Sequence, residues 1–316
     1  MEGVQPTASV RTPDSIVERT AAGPISWGVC EVPGWGAELP PDRVLAEMRE
    51  LGIAATEAGP EGYLGSSRAG IAAVLERHDL RLVGGFVPVV MHERAGPALE
   101  GAAATVRLYG ELGADVLVSA AALEPGRPPG EPLSRDDWRR LLETLARLDE
   151  LAARHGLAHA LHPHLGMAVE TADDVERALD GSNVHLCLDT GHLVLGGADP
   201  VRLATEARDR IAHVHLKDVR SDLAARVRAR ELSHLEATRL GIFRPLGDGD
   251  VAIADVVRVL EGSAYEGWYV LEQDTSLESA AIEPGAGPSA DQRRSIEFLR
   301  SVSRTGRTTN RKEGSR

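Results

Sequence analysis

The sequence predicts a single closed (β/α)8 barrel, on three observations. Eight short apolar runs of strand character alternate with eight helix-length segments, and such alternation means a parallel sheet with right-handed crossovers. Eight units over roughly 280 residues suit a closed barrel better than an open doubly wound sheet. The first βα turn carries no GxGxxG fingerprint, and the chain has neither a P-loop nor a GxSxG elbow, which weighs against the dinucleotide, nucleoside-triphosphate and α/β-hydrolase folds. Composition agrees. A chain of 316 residues, 42% hydrophobic, can fill one large core. Its net charge of −13, with no basic stripe, disfavours nucleic acid and anionic membrane surfaces as partners.

The elements follow in order. Residues 1–21 are polar and aperiodic, so a disordered leader is expected; it lacks the apolar core of a secretory signal. PISWGVC, residues 24–30, reads as the first strand. The Gly- and Pro-rich loop after it presents Trp27 or Trp35 above the barrel as a substrate contact. Pro41 and Asp42 open a helix to Leu51, with Val44, Leu45, Met48 and Leu51 at helical spacing. Residues 52–59 form a second strand ending in Glu57, 68–78 a helix, and LRLVGGFVPVV a third strand. A helix over 96–113, the strand ADVLVSAA and a long helix over 135–155 follow. The fifth strand is LAHALHPH, the sixth NVHLCLD, the seventh IAHVHLKD and the eighth GWYVLEQD, with helices over 172–180, 200–208, 251–261 and 291–303 between and after them.

One connection breaks the pattern. Residues 219–249 are far longer than the 2–6 residues usual for such loops, and they follow the strand bearing His215. They read as a lid-like insertion that packs Leu223, Val227, Leu232 and Leu235, with an oligomer contact as the alternative. The barrel is expected over 22–304 and a disordered tail over 305–316. Cys30 and Cys187 are the two cysteines. Cys187 lies mid-strand, where a buried free thiol is the default, and a reducing cytoplasm fits. No apolar run is long enough to span a bilayer.

Side chains alternate across a strand, and barrel sites are built from the C-terminal strand ends. Those ends carry Glu57, His162 and His164, Asp189 with His192 just beyond, His215 and Lys217, and Glu272 and Asp274. Asp189, His215 and Glu272 each end an apolar strand and converge; with His162 they make a mixed N/O set for one divalent metal ion. Such a set suits Mn, Co, Zn or Fe better than Mg. His213, one step deeper, reads as a hydrogen-bonded core histidine, and His159 as packed against a helix. Lys217 and Asp218 have the option of pairing with each other.

DTGH, HVHLKDV and VLEQD, in that order on three successive strands, resemble the xylose isomerase-like TIM barrels of sugar isomerases and epimerases. PISWGVCEVPGWG and the segment from HLKDVRSD to RPLGDGD are similar to the inosose dehydratase branch, which removes water from 2-keto-myo-inositol in inositol catabolism. The superfamily's Glu, Asp, His and Glu ligands fall on His162, Asp189, His215 and Glu272. The first departs from the pattern: a Glu-Pro of the epimerases reads His162-Pro163 here, which removes one base of a two-base pair. The resemblance implies a metal-dependent lyase acting on a cyclic polyhydroxy ketone, with Mn or Co foremost. Glu272 is the first candidate base and Glu57 the second, His192 or Lys217 the acid, and Trp27, Trp35, His164 and Asp274 substrate contacts. A sugar isomerase or epimerase is the alternative, and a non-catalytic sugar-binding barrel a further one. The partner expected is a small polyol or sugar, with a homo-oligomer left open.

Overall fold

The computed structural model describes residues 16–263 and 265–313. Its strands are β1 Thr20–Ala22, β2 Ala55–Glu57, β3 Arg81–Gly84, β4 Phe86–Val90, β5 Val116–Ala122, β6 Ala158–Leu161, β7 His185–Asp189, β8 Ile211–Leu216, β9 Asp218–Val219, β10 Phe243–Arg244 and β11 Tyr269–Leu271. Nine of them form one parallel sheet in the order β3-β2-β1-β11-β8-β7-β6-β5-β4, and β9 and β10 pair as a small antiparallel hairpin. The two ends of that order are consecutive in the chain. They are the halves of the predicted third strand, bent so that β3 pairs with β2 and β4 with β5. The Val83 and Gly85 carbonyls accept from the Asp115 and Val118 amides at 2.9 and 3.2 Å, and the Gly84 carbonyl from Ala58 at 2.9 Å. The ladder therefore closes into a barrel. The bend needs glycine: a Cβ at Gly84 would lie 2.4 Å from the Val116 carbonyl oxygen, and one at Gly85 2.4 Å from the Tyr109 hydroxyl.

Helices α1 Pro41–Glu50, α2 Arg68–Arg77, α3 Ala95–Leu112, α4 Arg135–Arg154, α5 Ala172–Gly181, α6 Thr190–Leu195, α7 Pro200–Glu206, α8 Ser221–Arg228, α9 His234–Arg239, α10 Ile253–Gly262 and α11 Pro288–Glu313 surround or cap the sheet. Capping boxes at Ser134/Asp137 and Thr171/Asp174 start α4 and α5, each satisfying amides that the first helical turn leaves free. His159 packs under α4 as expected. Its ring bonds Ser119 Oγ at 2.6 Å and Asp149.

Three expectations are corrected. The first strand is not PISWGVC but Thr20–Ala22, inside the expected leader; Pro24–Trp27 is a 3-10 turn opened by its proline. Ile16 and Arg19 are also buried, and Arg19 donates to the Tyr265 and Gly267 carbonyls. A strand of small residues, wedged between β2 and β11, has no hydrophobic run to announce it. Residues 1–15 of the leader lie outside the described residues. At the other end, α11 runs to Glu313, through most of the expected tail.

The third correction is Trp27, which is not a substrate contact. It is fully buried against α1, and its indole N–H donates to Glu47 Oε2 at 2.8 Å. Trp27→Ala is expected to cost about 3–5 kcal/mol, as for other buried large aromatics. A lowered denaturant midpoint at unchanged m-value checks it.

Candidate active site

β7 ends at Asp189, whose two oxygens do different work. Oδ1 accepts the His192 amide at 2.7 Å and so caps α6, a short helix that periodicity did not reveal. Oδ2 points into the barrel mouth, 3.2 Å from His162 Nε2 and 3.5 Å from both His215 Nδ1 and Lys217 Nζ. The β7–β8 register sets Asp189 opposite His215. β11 pairs with β8 on the other side, and the Glu272 amide continues that ladder onto the Leu216 carbonyl. Glu272 Oε2 thereby lies 3.0 Å from both His215 Nδ1 and Lys217 Nζ.

Glu57 stands behind His215, not among these groups. Its Oε1 accepts from His213 Nε2 at 2.9 Å and from His215 Nε2 at 3.0 Å. Burial pushes its carboxyl up, but the His215 charge and the two imidazole hydrogen bonds outweigh this and hold it well below the usual range. An ionised Glu57 takes the Nε2–H of His215. Burial lowers the His215 pKa, but its charged surroundings, Glu272 and Glu57 among them, raise it well above the ordinary value, so without a metal ion Nδ1 holds a proton facing two carboxylate oxygens. That nitrogen, and Nδ1 of His162, make no well-aligned hydrogen bond among the described residues. Three electron-rich atoms facing one another are stable only around a proton or a cation.

His162, Asp189, His215 and Glu272 each bring one ligand atom to within 4.8 Å of the others. A divalent metal ion fits this set, with Glu57 orienting His215 from outside as carboxylates do for metal-bound histidines. Cys187 lies beside His162 and His215, but burial pushes its thiol up to about 12, so it stays protonated, free and buried as expected. Glu57→Gln is expected to weaken metal affinity roughly 10–100-fold with the fold intact, as metal titration followed by calorimetry checks.

Lys217 is fully buried. Its ammonium meets Asp274 Oδ1 at 2.7 Å as well as Asp189 and Glu272, and it donates to His192 Nε2 at 3.2 Å. Burial lowers its pKa, but the charges of Asp189, Asp274 and Glu272 dominate and raise it well above the ordinary value. Gly191 makes room for it: a Cβ there would lie 2.6 Å from Lys217 Cγ. The optional pairing with Asp218 does not form. Asp218 instead accepts the Gly247, Gly249 and Val251 amides. The sequence does hold a signal for Lys217. Of 35 basic residues only Lys217 and Lys312 are lysines, so this position carries a compact point charge where the chain otherwise uses guanidinium.

Histidines line the outer part of the mouth. His164 lies against His192, ring centroids 3.8 Å apart. Burial first, then the crowding of neighbouring imidazoles and the Lys217 ammonium, pushes both well below the ordinary imidazole value, so both are neutral. Trp35 is buried, its indole bonded to the Thr275 carbonyl and its ring edge-on to His234 at 5.3 Å.

His234, missed from the sequence, comes from the 219–249 insertion and bonds Asp274 Oδ2 at 2.8 Å. Phe243 of the same segment lies 5.4 Å from Lys217 Nζ. A legible signal was the SHLE pattern: its Ser233/Glu236 capping box places His234 at the first position of α9. Leu223 and Val227 pack with Leu195, Val219 and Phe243 into a separate apolar cluster, to which Leu232 adds. Leu235 is half-buried outside it.

A parallel barrel with four side chains that could hold a metal ion at its C-terminal mouth defines a class. Residues 45–302 match the model of the xylose isomerase-like TIM barrel family, and the chain belongs to that family. Among relatives, the rhizopine catabolism protein MocC of Rhizobium meliloti is 34% identical over 267 residues, 81% of each chain. An inosose dehydratase of Geobacillus kaustophilus is 33% identical over 272 residues, 81% of this chain and 87% of that one. L-ribulose 3-epimerase shares the fold at 18% identity, TM-score 0.66, covering 94% of this chain and 98% of that one. Among the described residues no helix is long and apolar enough to cross a membrane.

Proposed function

We propose that this chain is a metal-dependent hydro-lyase that removes water from a cyclic polyhydroxy ketone, with 2-keto-myo-inositol the first substrate to test. The supporting observation is the way the carboxylates are employed. Glu57 is committed to two imidazoles, Asp189 caps α6, and Asp274 is held by Lys217 and His234. Glu272 also pairs with His215 and Lys217 but is the most exposed of the four carboxylates at 12%, which makes it the base, and His162 stands where a two-base epimerase would need a second carboxylate. The relatives named inosose dehydratase add weight. One base and a buried ammonium suit elimination.

His162, Asp189, His215 and Glu272 would hold a divalent ion, Mn or Co foremost with Zn or Fe as alternatives. Such an ion supplies Lewis-acid stabilisation for the charge that develops on a ketone oxygen. Glu272 takes the proton from the carbon beside that ketone. Lys217, kept charged by its three carboxylates, gives a proton to the departing hydroxide, and neutral His192 holds the ammonium in place. The proton taken and the hydroxide lost balance as one water. Glu57 is a positioning residue rather than the second base. His164 and Trp35 wall the substrate side, and the 219–249 insertion closes over it as a lid.

Incubating the metal-loaded protein with 2-keto-myo-inositol tests this. The expected product is the conjugated dione, seen as new ultraviolet absorbance and loss of one water by mass. An inert inosose together with epimerisation of a ketohexose, with deuterium washed in from solvent, would establish the isomerase alternative instead.

A further inference from the structure

The 219–249 insertion is fastened across the barrel mouth at several points. Arg239 donates to the Gly34 carbonyl at 2.7 Å in the loop after β1, Arg228 to the Val194 carbonyl at 2.7 Å, and Arg230 lies 3.6 Å from Glu170. These contacts hold the insertion to the rim. His234 is different, because its partner is inside the site. Its Nε2 bonds one oxygen of Asp274, and the other oxygen of the same carboxylate holds the Lys217 ammonium at 2.7 Å.

The rings of Trp35 and Phe243 pack edge-on against His234 at 5.3 and 5.6 Å and fix its orientation. Lys217 is shielded from solvent in this arrangement: its side chain is 2% exposed, against 24% for His234. A carboxylate gripped at both oxygens has one orientation. Released at one, it rotates, and the ammonium loses its shortest partner.

We propose that His234 is a positioning residue through which closure of the insertion aligns Lys217: the imidazole clamps Asp274, and Asp274 aims the ammonium at Glu272 and Asp189. This rests on the reading of the insertion as a lid and adds the residue that makes closure matter to the chemistry. The lid then does more than exclude water, since an open insertion leaves the proton donor unaligned even with substrate present.

Lys217 and Lys312 being the two lysines of the chain, acetylation with acetic anhydride followed by peptide mass spectrometry reads Lys217 directly, with Lys312 as internal reference and without any turnover. His234→Ala is expected to raise the Lys217-to-Lys312 modification ratio at least about tenfold, since local opening sets access to a buried group. His234→Gln, which keeps an N–H for Asp274, is expected to restore protection. In turnover, His234→Ala should lower kcat and leave KM within about twofold, because the residue acts on the proton donor rather than on binding.

An unchanged ratio in His234→Ala overturns the inference. If Arg239→Ala raises the ratio while His234→Ala does not, the lid stands and the clamp falls. If neither variant raises it, both are wrong. Protection lost equally in His234→Gln would show that bulk at this position, rather than the bond to Asp274, keeps the site closed, and would also overturn the clamp.

Discussion

Asp189→Asn is expected to lower turnover by at least about 10²-fold and to strip the protein of bound metal. The substitution keeps the shape of the side chain and, through its carbonyl, the cap on α6 that Oδ1 now makes with the His192 amide. What changes is the atom facing the barrel mouth. An NH2 group would replace the oxygen that lies 3.2 Å from His162 Nε2 and 3.5 Å from His215 Nδ1, so a ligand becomes a donor that competes with the cation. Loss of a supporting residue around a metal site typically costs roughly 10–100-fold, and loss of a ligand more. Elemental analysis alongside kcat/KM checks both halves. Metal retained at full occupancy with normal turnover would remove Asp189 from the ligand set.

The second large effect concerns Lys217. Lys217→Met leaves Asp189, Glu272 and Asp274 with no ammonium between them, and removing one partner of a buried ionic cluster typically costs about 3–5 kcal/mol. Because Lys217 is raised above its ordinary value of 10.5, its contribution to stability is fully present below that value. It is lost only as pH rises through the higher folded-state value. The loss in the variant should therefore be constant across neutral pH in the metal-free protein, and smaller once metal neutralises part of the cluster. Lys217→Arg should not rescue turnover: a planar guanidinium is larger and always charged, and Gly191 packs directly on the Lys217 stem. Chemical denaturation across pH, paired with product assays, separates the structural from the catalytic loss.

The strands and helices that carry their own apolar pattern were legible, and so were the strand ends. Asp189, His215 and Glu272 each terminate a run that chain alternation alone assigns to neighbouring strands, so their convergence follows from the barrel closing. Glu57 was legible as a site residue but not in its role. Sequence gives the strand it ends and not that His213 and His215, both on β8 across the barrel mouth, would donate to it. Trp27 was misplaced for a related reason: an aromatic beside a glycine-rich loop looks exposed until α1 packs over it and supplies Glu47 as a partner. β1 was hidden because three small residues need no hydrophobic signal when both neighbouring strands shelter them. His234 belongs to an insertion whose docking depends on long-range pairing with Asp274, which no local pattern encodes.

The most direct test of the account is metal dependence of the dehydration itself. Protein dialysed against chelator until elemental analysis finds no transition metal should fail to convert 2-keto-myo-inositol. Adding back one equivalent of Mn or Co per chain should restore production of the dione, in Asp189→Asn as in His215→Ala to no more than about a hundredth of the wild-type rate. Undiminished dione production by the metal-free protein would contradict it.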